Sequence, residues 1–155
     1  MKIADIMRPD VDTAPPGLGL EGLVSAHLNR KSRLLYVVDA SRKLLGLIGE
    51  SELISLLAPR YLDSHLARAV TDDTALLRES FDVLRKKTAS EVMNRDFLSV
   101  EPGDTFLSAD VLLKEMGQIA LPVLDENGIL LGEISREDIL RAIVKLCCFL
   151  EKDVS

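Results

Sequence analysis

Ser135, Arg136, Glu137 and Asp138 follow Gly132-Glu133-Ile134, and residues of these types at this spacing are suited to holding an anion and a diol. A helix opening at Ser135 leaves its first backbone N–H groups without intrahelical partners, and such groups attract negative charge. The Ser135 hydroxyl adds a donor. Asp138, three residues on, can point the same way and accept hydrogen bonds from a vicinal diol such as a ribose. The same Ser-x-x-Asp spacing also fits a capping box, in which the two side chains satisfy the helix itself and contribute about 1 kcal/mol. The local sequence allows both readings. Catalysis has less to work with. His27 and His65 are the only histidines, and no Ser/His/Asp order, metal-ligand spacing or Walker-type glycine loop appears. The expectation is a protein with no catalytic residue and no metal, and not an enzyme.

The elements that position this segment come from periodicity. Phe106 to Met116 carries apolar residues at 106, 109, 112, 113 and 116, which predicts a helix, and Gly117 suits its C-cap. Ile119 to Leu124 is a continuous apolar run containing Pro122. That predicts a buried strand whose proline avoids a ladder position. Asp125-Glu126-Asn127-Gly128 forms the turn to a return strand over 129–134. From Ser135 a helix should run to about Glu151, and Phe97 to Val100 should be extended.

This course is written twice. Ala4-Asp5-Ile6-Met7 returns 86 residues later as Ser90-Glu91-Val92-Met93, and Pro16-Gly17 returns as Pro102-Gly103. Val37-Val38-Asp39 returns as Val123-Leu124-Asp125, and Leu44-Leu45-Gly46-Leu47-Ile48 as Leu130-Leu131-Gly132-Glu133-Ile134. Duplication at a fixed offset determines architecture before any local pattern does. A unit of about 55 residues buries too little surface to be comfortably stable alone, so the copies should pack together. The first copy therefore predicts an extended 11–14, a helix over 20–28, a hairpin of 34–38 and 44–48, and a helix from near Gly49. Between the copies, 59–87 exceeds a plain linker. Thr74 to Lys87 sets Leu77, Phe81 and Leu84 on one face and ends in Arg85-Lys86-Lys87, so this insertion reads as helical.

The tandem strand-helix-hairpin-helix unit, the Leu-Pro-Val-Leu-Asp strand and the Gly-Glu-Ile-Ser-Arg-Glu-Asp segment together resemble a pair of CBS (cystathionine β-synthase) domains, a Bateman module. The resemblance implies an α/β (α+β) fold of two pseudo-symmetric β-α-β-β-α repeats packed through their sheets, spanning 2–58 and 88–151, with the helical insertion 59–87 between them. It also implies two clefts, which in many members bind AMP, ADP, ATP or S-adenosylmethionine. One cleft would join Ser135, Arg136 and Asp138 to Thr13, Ser32 and Arg33. The other departs from the pattern, with Gly49 for the hydroxyl and Glu52 for the aspartate, facing Ser99, Gln118 and Ile119, and is expected to be empty or weak. The implied function is regulatory: an adenine nucleotide is sensed and the signal passes to a partner protein, with no required cofactor. A structural docking or dimerisation module with vestigial clefts is the alternative, and an S-adenosylmethionine-binding module another.

Bulk properties narrow the partners. The net charge is −6 with dispersed acidic residues, and there are no Trp and only six Phe and Tyr. That speaks against nucleic acid, which needs basic attraction and stacking surfaces. No apolar run approaches the length of a membrane span. The N-terminal Met1-Lys2-Ile3-Ala4-Asp5 carries no apolar signal region, so a cytoplasmic setting is expected. Adjacent Cys147 and Cys148 read as small buried hydrophobes within a helix. That C-terminal helix carries Ile139, Ile143, Leu146 and Leu150 as a stripe, widened by Leu140, Val144 and the cysteines. The arc is broader than one core requires, which predicts a homodimer through these helices unless the insertion helix covers it.

Overall fold

Continuous apolar runs become strands here wherever the backbone can pair. In a computed structural model describing residues 1–58, 64–69 and 72–149, the first copy supplies α1 (Ile3–Ile6), β1 (Thr13–Ala14), α2 (Leu20–Leu28), β2 (Leu35–Val38), β3 (Leu44–Ile48) and α3 (Glu50–Leu57). The insertion follows as α4 (Ser64–Ala69) and α5 (Asp73–Leu84). The second copy supplies α6 (Ala89–Val92), α7 (Phe106–Met116), β4 (Ala120–Leu124), β5 (Leu130–Ser135) and α8 (Arg136–Val144), which passes into a π-helical turn over Lys145–Phe149. Strands β1-β2-β3 form one sheet, with β1 parallel and β3 antiparallel to β2, and β4-β5 form an antiparallel pair.

The hairpins match bond for bond. Asp39 Oδ1 accepts from the Ser41 and Lys43 amides, and Asp125 Oδ1 accepts from those of Asn127 and Ile129. The left-handed residue is Gly128 in one turn (φ 78°) and Arg42 in the other (φ 65°). One difference has a plain cause. Tyr36 donates its amide to Asp12 O, which ties β1 to β2; the matching residue in the second copy is Pro122, which has no amide hydrogen. The expected extended segment Phe97–Val100 is therefore no strand there, and pairs only as a bridge between Val100 and Val123.

The copies exchange their leading segments. Ile3 is fully buried in the second copy's core with Val100, Ala109, Leu113, Leu121, Val123, Ile134 and Ile139. Ala89 and Met93 complete the first copy's core with Leu20, Leu23, Leu35, Val37, Ile48 and Leu53. The hydrogen bonds repeat the offset: Ile3 and Ala4 donate to Asp104 O and Pro102 O, as Ala89 and Ser90 do to Leu18 O and Pro16 O. Close approach of these segments needs glycine. A Cβ on Gly132 would lie 2.5 Å from Arg8 O, and one on Gly46 would lie 2.6 Å from the Met93 side chain. A third apolar cluster, with Val11, Leu34, Tyr36, Leu44, Leu47, Ala120 and Leu130, joins the two sheets.

One expectation needs correction: Cys147 and Cys148 are exposed free thiols rather than buried hydrophobes, on the π-helical turn that follows α8. The chain is helical from Arg136 to Phe149, as its apolar pattern suggests, with the α-helix giving way to the π-helical turn at Lys145; Leu150 and Glu151 lie outside the described residues. The insertion is helical as expected, and its Phe81 and Leu84 pack against the first copy's core.

Candidate functional site

The N-terminus of α8 is held by its own side chains. Asp138 Oδ2 accepts from the Ser135 amide (2.8 Å) and hydroxyl (2.7 Å), and the Asp138 amide donates back to Ser135 Oγ (3.3 Å). The capping reading is thus realised, with one Asp138 carboxylate oxygen used for both bonds. Arg136 reaches α7 instead, donating to Leu113 O near that helix's C-terminus (3.1 Å).

The candidate residues of the first copy lie around the start of β2. Ser32 is buried; its hydroxyl donates to Leu34 O (2.7 Å) and accepts from the Asp12 amide (3.0 Å). Asp12 Oδ2 takes the amides of Lys31 (2.6 Å) and Ser32 (2.9 Å). Burial pushes the Asp12 carboxyl up, but these amides, the Ser32 hydroxyl and the Lys31 charge outweigh it, so the net displacement is downward. Thr13 is exposed on β1, opposite Tyr36. Arg33 pairs with Glu137 across the cleft. Of the expected residues, Arg33 reaches the α8 segment through Glu137, Ser32 bonds within the first copy to Asp12 and Leu34, and Arg136 is engaged with α7.

Sequence reasoning gives no role to the residue at the centre of this arrangement. Glu133 is fully buried on β5, two residues before Ser135 and on the same face. It accepts from the Arg33 amide (2.9 Å), the Leu34 amide (3.2 Å) and the Tyr36 hydroxyl. Burial, the Glu133 charge and hydrogen bond, and Asp138 together push the Tyr36 phenol well above its ordinary range. A signal is available in the chain: Glu133 stands where the first copy has Leu47, an acidic residue inside an otherwise apolar strand.

The opposite cleft is open. Gly49, Glu52, Gln118 and Ile119 line one cavity of about 260 Å³ with Leu34, Leu47, Glu50, Ser51, Asn94 and Gly117. Ser99 is exposed and is not among the lining residues. Glu52 accepts from the Gly49 amide (2.8 Å), as Asp138 does from Ser135. The buried Oε1 of Gln118 has no hydrogen-bond partner among the described residues. Behind this cleft His27 is buried on α2, and neither ring nitrogen has a partner among the described residues. Burial lowers its pKa first, and Arg30 adds to that against the opposing pull of Glu50 and Glu52.

Comparison with known proteins gives this geometry a context. The family model of the CBS domain matches residues 3–59 and 89–145. An uncharacterized protein of Methanocaldococcus jannaschii, MJ1225, is 30% identical over 139 residues, which cover 90% of this chain and 46% of that protein. The chain thus spans about half the length of this relative. Among solved structures, CBSX2 in complex with AMP is 22% identical with a TM-score of 0.72, covering 94% of this chain and 97% of the other. A CBS domain-containing protein of Bacillus anthracis gives a TM-score of 0.74 at 20% identity and 94% coverage of both chains. At these identities the solved structures speak for the fold.

Proposed function

The chain belongs to the CBS-domain family as a tandem pair, and from that premise we propose that it is a regulatory module binding an adenine nucleotide (AMP, ADP or ATP) between its repeats and signalling its occupancy to a partner protein. The observation that carries this reading is the contact of Arg33 of the first copy with the β5–α8 segment of the second, through Glu133 and Glu137, beside the Ser135–Asp138 cap. In this reading Asp138 offers its second carboxylate oxygen to a ribose, the free amides of α8 and the Ser135 hydroxyl face a phosphate, and Thr13 flanks the base. Arg33 leaves Glu137 for the phosphate. That a CBSX2 structure carries AMP supports the ligand class. S-adenosylmethionine shares the adenosine and is the neighbouring alternative. The module acts without catalysis of its own, as a homodimer, in the cytoplasm, where its free thiols stay reduced.

A second reading has its own observation. The Glu133 bonds and the Arg33–Glu137 pair already close the Ser135 cleft, as a purely structural docking module would have it. Thermal unfolding with AMP, ADP, ATP and S-adenosylmethionine separates the two. A ligand at 100 times its Kd adds about 2.7 kcal/mol, which is readily seen as a rise in Tm. Asp138→Asn then tests the site: the sensing reading expects at least a tenfold loss of affinity with the fold intact, since a hydrogen bond to a charged group contributes about 1.5–3 kcal/mol. No shift with any of the four ligands leaves the docking reading.

A further inference from the structure

We infer that Glu133 decides what the Ser135 cleft admits: its carboxylate is a built-in occupant that a ligand has to displace. This rests on the nucleotide-sensing reading and adds to it the residue that sets affinity. The two clefts are each other's control, because they are related by the sequence offset. Arg33 corresponds to Ile119, Leu34 to Ala120, Ser32 to Gln118 and Glu133 to Leu47. Where Leu47 stands, the cavity of about 260 Å³ beside Gln118 and Ile119 is open. Where Glu133 stands, a carboxylate reaches across and takes the amides of Arg33 and Leu34 and the Tyr36 hydroxyl. A base entering that side of the cleft would offer ring nitrogens as acceptors, and the amides of Arg33 and Leu34 are already given to Glu133.

The register itself does not require an acid, since the first copy fills it with Leu47; here the carboxylate accepts from donors that would otherwise be buried without partners. What the carboxylate adds is a set of bonds between copies, anchored by three donors within one segment of β2 and its preceding loop. Ligand entry breaks those bonds, so occupancy is converted into a loosening of the contact between β5 and the 33–36 segment. Glu137 extends the same closure outward through its pair with Arg33.

The test is calorimetric titration of AMP into the wild-type chain, Glu133→Leu and Tyr36→Phe. Glu133→Leu places the first copy's own residue in the second, and Tyr36→Phe removes a single donor from the carboxylate while leaving the packing, so a folding failure of the former leaves the latter to decide. We expect affinity to rise at least tenfold in Glu133→Leu and by a few-fold in Tyr36→Phe, the scale of losing one or more hydrogen bonds to a charged group. Adding Asp138→Asn to Glu133→Leu should abolish the gain; a gain that survives it places the nucleotide in another cleft and overturns the inference. Binding that is unchanged or weaker in both single variants also overturns it while the nucleotide reading stands. Absence of heat from all three proteins removes both, since a plug with nothing to exclude has no role.

Discussion

Single residues in this fold are legible against their own copies. His27 aligns with Leu113, and both are buried on the equivalent helix, yet only the histidine buries two ring nitrogens without partners among the described residues. A buried unsatisfied polar group costs about 1–3 kcal/mol, so His27→Leu should stabilise the chain by roughly that amount in chemical denaturation. The pH dependence follows from the same burial. The folded-state pKa of His27 lies below its unfolded value of 6.5, so the unfolded chain takes the proton first. Stability contributed by the neutral ring is whole above 6.5 and is lost as pH falls below it. The wild-type chain should therefore lose stability on acidification through that window, and His27→Leu should flatten the slope there; an equal slope in both would assign it to other groups. Asp12 acts lower on the scale. Its folded pKa is depressed, so its contribution is present above the ordinary value of 3.8 and disappears as pH falls further. Asp12→Asn should remove the Asp12 contribution to the acid limb below about pH 4 in denaturant unfolding, while its carbonyl oxygen can still accept from the Lys31 and Ser32 amides.

At the scale of elements, what the sequence reveals depends on whether a pattern is local. The helix Phe106–Met116 and its left-handed Gly117 (φ 62°) follow from apolar period and capping chemistry alone, as does Leu20–Leu28. The exchange of α1 and α6 between cores is not legible, because four-residue helices have too few positions to show a period and their partners lie far along the chain. In the sequence, the glycines that permit the exchange stand out only as repeat markers, while the reason for them lies in contacts with Arg8 and Met93. They make a graded prediction. Gly132→Ala drives a Cβ into the backbone oxygen of Arg8, 2.5 Å away, whereas Gly46→Ala drives one into Met93, with Cγ and Sδ at 2.6 Å and Cβ at 2.8 Å. Overpacking costs typically about 1–3 kcal/mol. Both changes should fall within that range or beyond, the first costing more because a backbone oxygen cannot rotate away as Met93 Cγ and Sδ can, as read by urea midpoints. Equal losses would mean that the Arg8 segment yields as easily as a methionine side chain.

For the whole molecule, duplication makes the fold readable, since two copies constrain each other's alignment and architecture. The cleft contents are less readable, because a carboxylate reaching across an interface leaves no periodic trace in its own strand. One exposed apolar surface is that of α8. Ile139 turns inward at 5% exposure, while Leu140, Ile143, Val144 and Leu146 stand 60, 40, 36 and 41% exposed. With Met1, Ile6 and Met7 of the exchanged segment, residues of this face line a groove of about 880 Å³. The insertion helix, which could have covered them, lies against the other copy through Phe81 and Leu84. An apolar face this broad, left open by its own chain, is the surface on which a second copy can pack in a symmetric, self-complementary contact. Light scattering at micromolar concentration should accordingly give about twice the 17.1 kDa of one chain. Ile143→Glu together with Leu140→Glu, on the exposed face and outside both cores, should return it to a monomer with its secondary structure intact, because two carboxylates cannot be desolvated there without partners. A mass near 17.1 kDa for the wild-type chain, with or without nucleotide, would mean that this face is covered by something other than a second copy.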